Sequence, residues 1–226
     1  MDVEAVSFED FRACLQDLSR VNTLTLGRRP VLAFLDRALR DVPLDTRVTI
    51  LDVAFGYGDT LRAIRRWGER RGRKLNLLGV DLSPQAVQAA REATTAREDI
   101  VYHCADVFAF EPSVPVDLVV SSLFTHHLNG DAIVRFLRWM ETRARLGWYV
   151  NDLHRHPVSF HGFRLLARAL RLHRFVRHDG PVSIARGFRP HEWGDLIAMA
   201  GLPQGETEIV RRMPFRLCVE RLKAIS

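Results

Sequence analysis

The chain has 226 residues and a formal net charge of +6, with 33 lysine and arginine residues against 27 aspartate and glutamate residues. Its content of 47% hydrophobic and 27% charged residues is typical of a globular domain and excludes a disordered or collagen-like chain. The longest apolar runs, such as residues 116–124, are too short to cross a bilayer, and the acidic first residues predict no signal peptide. Three scattered cysteines without CxxC spacing predict neither a disulfide framework nor a metal site, so we expect a cytoplasmic protein.

The first 45 residues are predicted to be helical. Apolar residues recur at three- and four-residue intervals, at Phe8, Phe11, Leu15 and Leu18. This spacing predicts an amphipathic helix over residues 8–18, and a second helix is predicted over 30–39. We expect residues 1–45 to form a helical lid that walls a site, with Arg20 and Asn22 near its opening.

An alternation of strands and helices follows this region. Strands are predicted at residues 48–53, 75–82, 100–104, 116–123 and 148–153. Helices are predicted between them at residues 60–71, 84–97 and 131–142, and Asp59 is predicted as the N-cap of the first. Strands separated by helices of this length imply a parallel sheet with right-handed crossovers.

The pattern changes after residue 153. A basic and apolar stretch over 157–174 predicts one or two helices, and a further helix is predicted over 190–200. Two short strands at 208–212 and 215–221 close the chain. Because they are joined tightly, they predict an antiparallel hairpin at the edge of the sheet.

The glycine-rich turn after the first strand predicts a ligand site. Gly56 and Gly58 allow the backbone to turn tightly and to approach a ligand closely. Asp52, at the end of that strand, is placed to accept hydrogen bonds from an ammonium group. Asp81 ends the second strand and is placed to accept from both hydroxyls of a ribose.

The spacing of this turn distinguishes two classes of cofactor. A nicotinamide or flavin site requires G-x-G-x-x-G/A, and the third position counted from Gly56 is Leu61. Counted from Ala54, that position is Asp59, so the fingerprint fails again. The alternative is the nucleoside sulfonium site of S-adenosylmethionine, which has no pyrophosphate to bind.

In these residues the chain resembles the class I S-adenosylmethionine-dependent methyltransferases. That family carries an acidic residue followed by x-Gly-x-Gly-x-Gly after its first strand, and this chain has Asp52-Val-Ala-Phe-Gly-Tyr-Gly58, with Ala54 in place of the first glycine. Residues 79–84 resemble the second-strand motif, in which Asp81 accepts from the ribose. Residues 104–107 resemble the third-strand motif, whose Asp106 pairs with the adenine amine.

Residues 117–123 resemble the fourth-strand motif, which faces the methionine part of the cofactor and the substrate. The resemblance implies S-adenosylmethionine as the cofactor. It implies cofactor-binding roles for Asp52, Ala54, Gly56, Gly58, Asp81, Leu82, Asp106, Val107 and Ser121.

The implied fold is an α/β, Rossmann-like three-layer sandwich. Its seven-stranded, mostly parallel sheet would end in the antiparallel hairpin and carry a helical cap. The methyltransferase domain would span residues 46–226, with the cap inserted at about 155–188.

In this sequence Thr125-His126-His127-Leu128 follows the fourth strand, and small-molecule methyltransferases of the quinone-methylase type have a similar Leu-His-His-Leu run there.

Histidine is the usual base that removes the proton of a hydroxyl acceptor. We expect His126 to face the active site, because in related enzymes the first of the two residues meets the substrate pocket. His127 would then pack or cap the next helix. The alternative is that both histidines are ordinary packing residues without a catalytic role.

Two further polar clusters flank the 157–174 stretch. One follows the fifth strand and the other spans 177–188, and both resemble runs of a bacterial methyltransferase subgroup in which the insertion covers the substrate. His154 and His178 are therefore candidate bases. Candidate substrate-binding residues are Arg20, Asn22, Arg155, Asp179 and Arg186. The 177–180 run reads equally well as a turn with a surface histidine.

The resemblance implies methyl transfer to a hydroxyl of a small aromatic or polyketide-like metabolite. Carbon methylation of a phenolic or quinone ring, methylation of RNA or protein, and cofactor binding without catalysis remain alternatives. No Asn/Asp-Pro-Pro-Tyr run follows the fourth strand, and no basic stripe with interleaved aromatics is present, so no nucleic-acid partner is expected. The arginine-rich helix after residue 157 fits a packed cap best, with contact to a long apolar substrate or a membrane surface as alternatives.

Overall fold

The computed structural model describes residues 7–223, apart from the side chain of Gln204. It contains one seven-stranded sheet. The strands are β1 (Arg47–Val53), β2 (Lys74–Asp81), β3 (Ile100–Cys104), β4 (Val116–Ser122), β5 (Ala144–Leu153), β6 (Thr207–Arg212) and β7 (Arg216–Leu222). Their order is β3-β2-β1-β4-β5-β7-β6.

The first five strands are parallel, and β7 runs antiparallel to both β5 and β6. The predicted mostly parallel sheet with an antiparallel C-terminal hairpin is therefore confirmed. The strand order reverses between β1 and β4, and open α/β sheets bind ligands at such a point, beyond the carboxyl ends of the strands.

Eight α-helices accompany the sheet within the described residues. They are α1 (Phe8–Leu24), α2 (Arg29–Ala38), α3 (Asp59–Arg70), α4 (Pro84–Glu92), α5 (Gly130–Arg143), α6 (Pro157–Ala169), α7 (Arg174–Arg186) and α8 (Pro190–Ala200). None of these helices is long and apolar enough to span a membrane.

Alternation along the strands divides the core into two halves. Ile50 of β1 packs with Phe34 of α2 and Ile64 of α3, whereas its neighbour Leu51 packs with Phe136 of α5 on the opposite face. Helices therefore cover both faces of the sheet, which gives the predicted three layers. Because successive strand residues point to opposite faces, one apolar run supplies both halves of the core.

The α6–α7 hairpin, which we call the cap, packs on α1. Cys14 and Val21 of α1 form one apolar cluster with Ala167, Leu172 and Val176 of the cap. The sequence predicts residues 1–45 and the cap as separate units. In the structure they share this small core.

Two local predictions are corrected by the structure. Asp59 is the first residue of α3, while the N-cap is Gly58, which takes the left-handed conformation at φ +70°. The Asp59 carboxylate instead pairs with Arg28 at 2.5 Å. Residues 177–180 are helical within α7, although Gly180 and Pro181 are typical of a turn.

Candidate functional site

A cavity of about 740 Å³ opens at the carboxyl ends of β1, β2 and β4. Its front wall is α1, which contributes Phe11, Leu15, Leu18, Ser19 and Asn22. Its floor comes from the segments that follow the three strands. These contribute Asp52, Ala54, Phe55, Gly56, Tyr57, Asp59, Thr60, Asp81, Ser83, Gln85, Ala86, Ser122, Leu123, Phe124 and His127.

The turn after β1 takes a left-handed backbone conformation at three positions. Ala54, Gly56 and Gly58 have φ values of +57°, +53° and +70°. Ala54 therefore adopts the conformation that a glycine takes without strain, which costs a residue with a β-carbon roughly 1–2 kcal/mol. At Gly58 a β-carbon would lie 2.5 Å from the Tyr102 hydroxyl oxygen, so only glycine fits there.

Asp52 is a buried carboxylate that lines this cavity. Its residue is 1% exposed, and its Oδ1 has no hydrogen-bond partner among the described residues. Burial raises the pKa of Asp52 well above its ordinary value, and the nearby charges of Asp59 and Asp81 raise it further. A buried acceptor without a partner is costly, so this atom fits a cationic donor such as an ammonium group.

Asp81 holds the turn and also lines the cavity. Its Oδ2 accepts from the Gly56 N–H at 3.0 Å, and its Oδ1 accepts from the Ser83 N–H at 2.9 Å. Burial raises the pKa of Asp81, although these two hydrogen bonds lower it in part. Each carboxylate oxygen retains a second lone pair, so hydroxyl groups of a ribose can still be accepted.

The two adjacent histidines are placed opposite to the prediction. His127 lines the cavity, whereas the His126 side chain is 3% exposed and does not. Residues Thr125–His127 form one 3-10 turn rather than an extended segment, and this turn directs His126 into the protein. The two rings still lie against each other, with centroids 4.2 Å apart.

Asp152, at the end of β5, fixes His126 from behind. Its Oδ1 lies 2.7 Å from His126 Nδ1, and its Oδ2 accepts from the Thr125 hydroxyl at 2.5 Å. Burial alone would raise the pKa of Asp152, but the hydrogen bonds and charge of its neighbours outweigh burial and lower it. Asp152 is therefore a buried ion that its neighbours stabilise.

Arg216, at the start of β7, is the buried cation near this carboxylate. Burial lowers the pKa of Arg216, while the charge of Asp152 opposes that shift. Its Nη2 donates to Asn22 Oδ1 at 3.0 Å. Asn22 lines the cavity, so this hydrogen bond connects the buried charges to the front wall.

Five of the predicted cofactor-binding residues lie outside the cavity lining, namely Gly58 of the turn and four others. Leu82 is 73% exposed, and Val107 belongs to the apolar core. Asp106 is exposed, and its Oδ1 accepts from the Phe108 N–H at 2.9 Å. Ser121 is buried and donates to the Val53 carbonyl at 3.0 Å, while the next residue along β4 lines the cavity.

The candidates on the cap and after β5 are not brought to the cavity. His178 is an exposed residue of α7 next to Asp179. Burial and the positive charge of Arg211 lower the pKa of His154, which forms a bridge to Phe188. Arg155 pairs with Glu192, Arg20 pairs with Asp17, and Arg186 is exposed.

Sequence reasoning missed the lining residues Tyr57, Thr60 and Phe124. They lie one to three residues from predicted positions, so the motif itself marks their neighbourhood. The apolar spacing over Phe11, Leu15 and Leu18 found the helix of the front wall. It did not show that those side chains line a ligand cavity. Periodicity identifies the apolar face of a helix but not what packs against that face.

Comparisons with known proteins agree with this geometry. Residues 50–147 match the family model described as a methyltransferase domain. A curated relative, trans-aconitate 2-methyltransferase from Azoarcus sp. strain BH72, is 35% identical over 91 residues, which cover 38% of this chain and 33% of the relative. The chain thus matches about a third of the length of that relative.

Solved structures share the fold at low sequence identity. The plantazolicin methyltransferase in complex with S-adenosylhomocysteine has a TM-score of 0.66 and 14% identity, covering 95% of both chains. Human N-acetylserotonin methyltransferase in complex with S-adenosylmethionine has a TM-score of 0.64 and 15% identity, covering 97% of this chain and 57% of that one. With its glycine-rich turn, its paired acidic residues and its sheet order, the chain has the fold of the class I S-adenosylmethionine-dependent methyltransferases and matches a methyltransferase domain over residues 50–147, and these findings support S-adenosylmethionine as its cofactor.

Proposed function

We propose that this chain transfers a methyl group to a hydroxyl of a small, neutral, aromatic acceptor, with His127 as the base. The observation that carries the proposal is the lining of the cavity, where one histidine adjoins an apolar wall. Phe11, Leu15 and Leu18 on α1 and Phe124 after β4 supply that wall. Aromatic and aliphatic side chains around few polar groups are typical of small-molecule sites.

The residues at the turn fit the cofactor. Asp52 would hold its ammonium group through the oxygen that otherwise lacks a partner, and Asp81 would accept from its ribose hydroxyls. When bound, S-adenosylmethionine supplies an electrophilic methyl group on a sulfonium. A contact of Asp106 with the adenine amine stays a prediction, since its carboxylate already accepts from the Phe108 N–H.

The charge of the lining favours a neutral acceptor over a carboxylate. Asp52, Asp59 and Asp81 line the cavity, and no lysine or arginine is among the described lining residues. An acceptor with a carboxylate needs a cationic partner when it is desolvated. The substrate that the Azoarcus relative's name gives, trans-aconitate, would lack such a partner in this cavity.

The base would take the hydroxyl proton as the oxygen attacks the methyl group. His127 would accept that proton on a ring nitrogen, and the acceptor oxygen would form the new bond to carbon while the bond from carbon to sulfur breaks. His126 would act as a positioning residue, because its ring lies against His127 and is itself fixed by Asp152. Transfer of labelled methyl to neutral phenols, and not to matched carboxylic acids, would support the proposal; transfer to neither would contradict it.

Substitution of Asp52 tests the cofactor contact directly. Asp52→Asn preserves shape but removes the charge that pairs with the ammonium group. We expect the affinity for S-adenosylmethionine to fall by about 10- to 150-fold, the range of a hydrogen bond to a charged group. Isothermal titration calorimetry measures the change. Asp195→Asn is the matched control at an exposed carboxylate outside the cavity lining, and an equal loss of affinity there would show that the loss in Asp52→Asn does not come from this contact.

The raised pKa of Asp52 predicts a pH-dependent affinity. Below that pKa the free carboxyl carries a proton, which the ammonium group must displace. Affinity is therefore expected to fall as the pH is lowered through the pKa of Asp52 in the free protein and to level off above that pKa. Titrations in buffers of different ionisation enthalpy would count the released proton. A proton count that is the same in Asp52→Asn and the wild type would contradict this assignment.

A further inference from the structure

The positive charge of the chain is concentrated in the cap and the residues that flank it. Residues 155–189 contain eight arginines and one acidic residue, Asp179, and so carry a formal charge of +7. The whole chain carries +6, so the remaining residues together carry −1. A genome-wide preference for arginine over lysine does not explain this, because it would not remove acidic residues from a single segment.

Six of these arginines are exposed on the cap and have no acidic partner within residues 7–223. They are Arg164, Arg168, Arg171, Arg174, Arg177 and Arg186, and we call the surface that carries them the cap face. None of them forms a salt bridge with a residue that the structure describes. By contrast, Arg155 at the base of the cap is paired with Glu192.

Aliphatic side chains project from the same helices. Val158 and Leu165 of α6 are 59% and 67% exposed, and Val182 of α7 is 41% exposed. Val158 and Leu165 are seven residues apart, so they lie on one side of α6 over two turns. Val182 shares a side of α7 with Arg186, one turn away.

We propose that the cap face binds an anionic membrane surface. Arginines near such a surface are attracted by the negative headgroups, and exposed aliphatic residues insert between them. The long arginine side chains can extend to the headgroups while the helix lies at the interface. The surplus of cations gives the charge complementarity, and the protruding valines and leucine favour lipid over an acidic protein as the partner.

Sedimentation with lipid vesicles tests this without any assay of activity. The wild type should bind vesicles of phosphatidylcholine containing about one third phosphatidylglycerol and should not bind vesicles of phosphatidylcholine alone. Binding should weaken as salt is added, because salt screens the headgroup charge. Absence of binding to the anionic vesicles at low salt would overturn the proposal.

Charge reversal locates the surface. Arg168→Glu with Arg177→Glu should reduce vesicle affinity by at least about 25-fold, since each cation near the membrane contributes about fivefold. Arg40→Glu with Arg97→Glu is the matched control, because both residues are exposed outside the cap and the net charge changes equally. An equal loss in the two double variants would overturn the assignment to the cap face. Circular dichroism verifies that each variant is folded.

The aliphatic contribution separates lipid from an acidic protein. Leu165→Ser, made alone in the wild type, should weaken vesicle binding while leaving the attraction to a soluble polyanion unchanged. Polyglutamate is the probe for that attraction. If the wild type binds polyglutamate and Leu165→Ser binds vesicles as the wild type does, an acidic protein surface replaces the membrane as the partner.

Discussion

Replacement of His127 by alanine is expected to lower turnover by about 10²- to 10⁴-fold, the usual contribution of a general base. Affinity for S-adenosylmethionine should stay unchanged, because Asp52 and Asp81 are intact in that variant. Single-turnover transfer of labelled methyl gives the rate, and calorimetry gives the affinity. The substitution removes a group that lines the cavity, so its direct effect falls on the acceptor side of the site.

His178→Ala is the matched control for this substitution. His178 is also a histidine next to an acidic residue, but its side chain is 82% exposed on α7 and lies outside the cavity. We expect that variant to keep wild-type turnover. Full activity of His127→Ala, with or without a loss in His178→Ala, would contradict the assignment of His127 as the base.

Removal of the Asp152 carboxylate should produce the largest loss of stability. Asp152→Ala takes the acceptor from Thr125 and from His126 Nδ1, and it leaves the buried Arg216 without its nearby negative charge. Removing a buried acceptor and leaving a buried cation without nearby compensation costs about 3–5 kcal/mol in the free energy of unfolding. Urea denaturation measures the change.

An exposed ion pair provides the control for Asp152→Ala. Glu92 pairs with Arg12 at 3.1 Å, and both side chains are close to half-exposed. Glu92→Ala should therefore cost only about 0–1 kcal/mol. A similar small cost for Asp152→Ala would show that the buried charges do not stabilise one another.

The stabilisation by Asp152 should also depend on pH. Its pKa is lowered in the folded chain, so its contribution is fully present above the unfolded-state value of about 3.9. That contribution is lost as the pH falls through the lower folded value. The difference in unfolding free energy between the wild type and Asp152→Ala should therefore shrink only in acid. A difference that already declines near neutral pH would contradict the lowered pKa.

The sheet and its cofactor turn could be predicted from the sequence because their signals are local. Short apolar runs alternate with helical periods, and glycines mark the turn after β1. The ends of β1 and β2 carry Asp52 and Asp81, and parallel strands bring their carboxyl ends to one edge. The sequence shows that Ala54 stands in place of the first glycine of the motif. The structure adds that the backbone at Ala54 still takes the left-handed conformation that favours glycine.

The orientation of the histidines could not be predicted in the same way. His126 and His127 are identical in type, and the choice between them depends on the 3-10 turn and on Asp152, which lies 26 residues further along the chain. A shift of one residue similarly exchanges Ser121 for its neighbour in the cavity, because side chains alternate along a strand. Residues 177–180 were ambiguous because Gly180 and Pro181 favour a turn locally, whereas packing of Val176 on α1 favours the helix.

The antiparallel placement of β7 makes the site depend on both ends of the chain. Since β7 runs against β5, its first residue, Arg216, lies beside the carboxyl end of β5 and reaches Asn22 of α1. Residues 50–147, which match the methyltransferase domain, contain neither α1 nor β7 and only the first part of β5. A fragment cut to that segment would keep the turn that meets the cofactor but would lose the front wall, the buried Asp152 and its counter-ion. The smallest unit worth expressing for acceptor chemistry therefore extends from α1 through β7.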